Sequence, residues 1–157
     1  MKKEILKGFA MLMLLVALAL ATAVVSANAQ SSAKVMSNIP FEFVVGDKTL
    51  PAGEYSVAPA TAAGNALMIQ NADNGKAAIR LTDPTEQMKN NTHARLVFHR
   101  YGKSYFLAEV WNGESVGRQI VKSRQERAIE RELASIPSKS ELAQSTYETI
   151  TVVAVRR

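Results

Sequence analysis

Two strand-like runs, Arg95 to Tyr101 and Ser104 to Trp111, flank the dipeptide Gly102-Lys103. Aromatic and β-branched residues dominate both runs, and a Gly-containing pair between them is a hairpin turn. With that turn in place Tyr101 faces Ser104, His99 faces Phe106 and Val97 faces Ala108. One face then holds Val97, His99, Tyr101, Phe106, Ala108 and Val110. The other holds Leu96, Phe98, Arg100, Tyr105, Leu107, Glu109 and Trp111. Both faces are largely apolar, so the hairpin must be central and covered on both sides.

The rest of the chain supplies further strands. Asn38 to Val45 alternates, with Ile39, Phe41, Phe43 and Val45 on one side, and reads as a half-buried strand. Gly46-Asp47-Lys48 and Leu50-Pro51-Ala52-Gly53 are turns, and Glu54 to Ala58 is a strand. Asn74-Gly75 between the runs Leu67–Gln70 and Ala77–Leu81 predicts a second hairpin. Asp83 to Thr92 reads as a loop, and Thr146 to Val155 as a closing strand. One helix is expected: Ser123-Arg124-Gln125-Glu126 has the form of a capping box, followed by Ile129, Leu133 and Ile136 at helical spacing. The helix should run to about Ser135, stop at Pro137, and cover the second face of the hairpin. About seven short strands and one surface helix near the C-terminus predict an all-β fold. It is an antiparallel sandwich or a small barrel, and the pattern leaves both open.

The first residues have a different character. Lys2, Lys3 and Lys7 precede a stretch from Phe9 to Val25 without charge, and Ala27-Asn28-Ala29 follows. Basic, apolar and small-residue parts in this order are those of an export signal, with cleavage expected after Ala29 to leave Gln30 as the new terminus. A retained anchor is the alternative, and the stretch is near the lower limit for a spanning helix. Residues 1–29 are thus expected to be a signal peptide and 30–157 a single β-rich domain, periplasmic or extracellular. No later segment is apolar and long enough to span a bilayer.

Composition narrows the function classes. There is no cysteine, which removes disulfides, thiol catalysis and Cys-ligated metals. The formal charge of +5 includes Lys2, Lys3, Lys7 and Glu4; without them 16 basic residues face 13 acidic ones, a net +3. That is too mild a balance for a nucleic-acid partner. It suits weak attraction to anionic envelope polymers or lipid surfaces.

Four runs carry a resemblance: Ile39-Pro40-Phe41-Glu42-Phe43-Val44-Val45-Gly46, Leu50-Pro51-Ala52-Gly53-Glu54-Tyr55, Arg95-Leu96-Val97-Phe98-His99-Arg100-Tyr101-Gly102 and Ser123-Arg124-Gln125-Glu126-Arg127. In these the chain resembles a group of small exported bacterial proteins without an assigned activity. The resemblance implies an exported, β-rich domain and no catalytic residues.

Several constellations have a plainer reading beside the chemical one. Gly113-Glu114-Ser115-Val116-Gly117 fits a nucleophile elbow, but no Asp or His follows Ser115, as the triad order of that fold requires. It reads as a turn. His93 and His99 could bind a metal with Asp83 or Glu109, yet their placement in a loop and a strand has no ligand-like spacing. Arg118, Lys122, Arg124, Arg127 and Arg131 interleave with Glu126, Glu130 and Glu132, as on a solvated helix face where Arg127 pairs with Glu130. Arg100, Tyr105 and Trp111 are either a sugar-stacking platform or packing beneath the helix. Asn90-Asn91-Thr92 is a chance sequon. No catalytic, metal or cofactor residues are expected. The chain reads as an exported, non-enzymatic binding or structural domain with an unidentified envelope or extracellular partner, meeting it through the second face or the edges of the central hairpin. The alternative is a small hydrolase of an envelope polymer, which needs Glu42, Glu54, Glu109 and a histidine around one cleft.

Overall fold

A computed structural model describes residues 34–86, 93–135 and 147–157. Ala27, Ala29 and Gln30, the sequon, Ile136 and Pro137 lie outside these residues. Among the described residues no helix is long and apolar enough to cross a membrane.

The fold is all-β, with one helix among the described residues, near the C-terminus. Eleven strands among the described residues form a sheet that is not closed, in the order β10 (Glu148–Val153), β7 (Ala94–Tyr101), β8 (Ser104–Asn112), β9 (Val116–Ile120), β6 (Ala77–Glu86), β5 (Ala66–Asn71), β4 (Gly53–Pro59), β1 (Val35–Ile39) and β11 (Val155–Arg156); β2 (Phe43–Val45) lies beside β8, and β3 (Lys48–Leu50) beside β2. Four strands come in addition to the expected seven: β2 and β11 split off from longer runs, β3 is three residues long, and β9 stands where a turn and a charge run were expected.

Three chain segments turn from one layer to the other. Asn38 to Val45 is two strands rather than one: β1 (Val35–Ile39) pairs with β4 (Gly53–Pro59), whereas β2 pairs with β3 and β8. The break falls at Pro40, which has no N–H to give a ladder. The second is β6 (Ala77–Glu86): Ala77 to Leu81 pair with β5 (Ala66–Asn71), and Thr82 to Glu86 with β9 (Val116–Ile120). The expected loop from Asp83 therefore begins as strand. Pro84 is accommodated because the β5 ladder ends at Leu81 and only β9 lies beside it. The third is the C-terminus, where β10 (Glu148–Val153) pairs with β7 (Ala94–Tyr101) and β11 pairs with β1. Strands that change layer in this way make the corners of a two-layer β structure.

The core lies between the layers. Ile39, Phe43, Tyr55, Val57, Ile69, Leu96 and Phe98 are essentially inaccessible to solvent. Phe43 packs edge-on against both Tyr55 and Phe98, with ring centroids at 5.0 and 5.4 Å. The Tyr55 hydroxyl donates to the Pro51 carbonyl at 2.7 Å, which closes the Leu50–Gly53 turn from inside. Burying each large apolar side chain contributes about 1.5–3 kcal/mol.

The central hairpin joins β7 to β8 (Ser104–Asn112). Gly102 adopts φ 60° in its turn, a conformation that costs a residue with a Cβ. Tyr101 pairs with Ser104 and His99 with Phe106, as expected. Beyond these pairs a bulge between Val97 and Phe98 shifts the register, so that Val97 faces Glu109 instead of Ala108. Val110 thereby joins Leu96, Phe98 and Leu107 in the core. Both edges of the hairpin are occupied, by β10 along β7 and by β9 and β2 along β8.

Candidate functional site

Helix α1 (Arg124–Ala134) lies over the outward face of the hairpin. This corrects the expected placement, because the second face, with Leu96, Phe98 and Leu107, is inside the core. It also removes that face and the hairpin edges as an interaction surface. Ser123 is the N-cap and its hydroxyl accepts from the Glu126 amide at 3.0 Å. The reciprocal half of the capping box is missing. The Glu126 carboxylate turns inward and meets His99 Nδ1 at 3.0 Å, and both side chains are buried.

Around this pair the hydrogen bonds continue. The Tyr101 hydroxyl reaches Glu130 Oε1 at 2.7 Å and Glu126 Oε1 at 3.3 Å. Lys122 Nζ donates to Glu130 and forms an ion pair with it. Tyr147 stacks on the His99 ring with centroids 3.8 Å apart, and Lys122 lies over the Tyr147 ring. Val44, Phe106 and Ile129 supply the apolar surround. Burial pushes the Tyr101 hydroxyl well above its ordinary range, and the two carboxylates beside it add to the effect. Burial also acts to raise Glu130, but the bonds from Lys122 and Tyr101 and the nearby positive charge outweigh it, holding that carboxyl below its usual range. The pairing of Glu130 with Lys122 replaces the expected one with Arg127.

The other sequence candidates are dispersed. His99 is bound to Glu126, not to Asp83 or Glu109, and His93 is exposed at the start of β7. Among the described residues no three His, Cys, Asp or Glu side chains are grouped to hold a metal. Glu109 accepts from the Trp111 indole at 2.8 Å, and Glu42 and Glu54 are exposed. The Arg100–Tyr105–Trp111 platform is split. Arg100 lies over Tyr105, which stacks on Phe41 at 4.0 Å, while Trp111 holds Arg95 over its ring. None of the three lies beneath the helix. Ser115 is exposed in the β8–β9 connection, and Gly117 is pressed against the outer Trp111 ring, where a Cβ would stand 2.6 Å from it.

The basic run is likewise broken up. Lys122 is taken by Glu130; Arg124 and Arg127 line a shallow groove with Ile79, Arg80 and Leu81, where Arg80 is tied to Asp47 at 3.0 Å. Arg118 belongs to a different place, a cavity of about 310 Å³. Val57, Pro59 and Leu67 of β4 and β5 form one wall; Val110, Asn112, Val116 and Arg118 of β8 and β9 form the other, with Glu114 at the rim. A size near 300 Å³ and a mainly apolar lining with a few polar groups are properties of small-ligand sites. Period-two reading misses this site, because it treats Arg118 as one member of a solvated charge run. No family model, curated protein or solved structure matches the chain.

Proposed function

We propose that this protein is an exported, non-enzymatic binding domain of the cell envelope or extracellular space, one of the small exported bacterial proteins it resembles. Residues 1–29 support the export half of this reading, with processing between Ala29 and Gln30. The observation that carries the binding half is how the ionisable groups are distributed. Those that cluster, His99, Glu126, Tyr101, Glu130 and Lys122, bond to one another under α1 and hold the helix on the sheet. The cavity between the layers has an apolar floor and polar groups only near its rim. A general acid–base site needs its groups within bonding reach of a reacting atom. A cluster whose acceptors are occupied by its own donors serves packing better than turnover.

The test is to express the full chain in an exporting bacterial host and determine the N-terminus of the released protein. Release with Gln30 first is the expected result. Retention in the cytoplasm with Met1 intact would sink the reading.

A further inference from the structure

Arg118 stands where a strand of this kind should carry an apolar residue. Val116, Arg118 and Ile120 alternate with Gly117, which backs onto Trp111 on the outside, so these three point between the layers. Ile120 is in the core, and Val110, directly opposite Arg118 in the ladder, is also buried. Arg118 itself is half-buried, with no ion-pair or hydrogen-bond partner among the described residues. Its guanidinium lies over Gly64, where a Cβ would come within 3.0 Å of Nη2. A half-buried cation on an apolar wall, with no counter-charge from the protein, keeps its donors for an incoming anion. The rim acid does not serve, because Glu114 is paired with Arg156 at 3.1 Å.

We infer that the cavity between the layers binds a small amphiphile, an apolar body of medium-chain size carrying one carboxylate that pairs with Arg118. This rests on the binding-domain reading and names its ligand class. The guanidinium fork matches a carboxylate in two parallel bonds. Asn112 Oδ1 accepts from the Glu114 amide at 3.0 Å, which leaves its NH2 group as a further donor. The apolar floor is Val57, Leu67 and Val110, each less than a tenth exposed. A dry cavity of roughly 150 Å³ holds one benzene ring, and a volume of about 310 Å³ takes a longer body.

The experiment is calorimetric titration of the protein, as processed by its host, with octanoate, octanol and acetate. Octanoate should bind, and the alcohol and acetate, each lacking one half of the amphiphile, should bind at least about tenfold more weakly. Arg118→Gln should weaken octanoate by about tenfold or more while octanol is unchanged. Val116→Trp, at an exposed rim position, should block the mouth and abolish binding without changing the melting temperature. Equal octanoate binding by wild type and both variants overturns the proposal, as does no binding by folded wild type. If octanoate fails on protein released with Gln30 first, the ligand class falls and the exported domain stands. If Met1 is retained, export falls, and octanoate binding that is sensitive to Arg118 still supports the cavity.

Discussion

The two faces of the sheet formed by β7, β8 and β9 handle charge in opposite ways. Outside, beneath α1, five ionisable side chains are brought together and each finds a partner: His99 with Glu126, Tyr101 with both glutamates, Lys122 with Glu130. Inside, toward the mouth of the two layers, Arg118 stands among Val110, Val116 and Leu67 with no partner among the described residues. Satisfied buried networks specify a structure. A half-buried cation without a protein partner keeps its donors for something from outside. The first region holds α1 on the sheet, and the second is where we propose that a ligand is met.

The largest effect should come from breaking the outer cluster. Glu126→Ala removes the acceptor of a buried His99 and one of the two acceptors of Tyr101. Loss of one partner of a buried pair costs about 3–5 kcal/mol, and urea unfolding of the variant should show a fall of that order. A loss below about 0.5 kcal/mol would mean that the cluster is not what holds α1 down.

Next come the groups at its margin. Tyr101→Phe deletes the donor to Glu130 and should cost about 1 kcal/mol. Ser123→Ala removes the N-cap acceptor of the Glu126 amide and should cost about 1 kcal/mol. Chemical denaturation measures both. If the two losses add in the double variant, cap and cluster act independently; a smaller combined loss would show that the cap serves mainly to aim Glu126.

The same cluster should give stability a pH dependence on both sides. Glu130 is held below its usual range when folded, so its contribution is present above the unfolded carboxylate range and is lost as pH falls through the folded value. Tyr101 is raised when folded, so its contribution is complete below the unfolded phenol value of about 10 and is lost as pH rises above it. Melting temperature followed against pH should therefore drop at both ends. Glu130→Gln should flatten the acid limb, and an unchanged acid limb would place the dependence elsewhere.

Much of the frame was legible in the sequence, and the misses have identifiable causes. The pairs Tyr101 with Ser104 and His99 with Phe106 follow from the turn at Gly102-Lys103. The register then fails at the Val97/Phe98 bulge, because an extra residue on one strand leaves no mark in a period-two pattern. That single shift moved Glu109 and Trp111 away from the face assigned to them and placed Val110 in the core. Ser123 and Glu126 predicted the helix start correctly, but a local motif cannot reveal that Glu126 has a better partner in His99, 27 residues away. The break after Ile39 was concealed because Ile39, Phe43 and Val45 stay inward on both sides of it. Arg118 was hidden by its neighbours: Lys122, Arg124 and Arg127 make it look solvated, and only the pairing with Val110 shows which way it faces.

The measurement that goes most directly to the contrast is the melting temperature of Arg118→Leu without ligand. If the arginine is present for a ligand and not for the fold, an inward leucine removes an unpaired charge and adds apolar burial, so the variant should be about 0.5–1 kcal/mol more stable. Its melting temperature should rise by about 2–4 °C, while octanoate no longer binds. A fall of similar size would contradict the account and make Arg118 part of what holds the layers together.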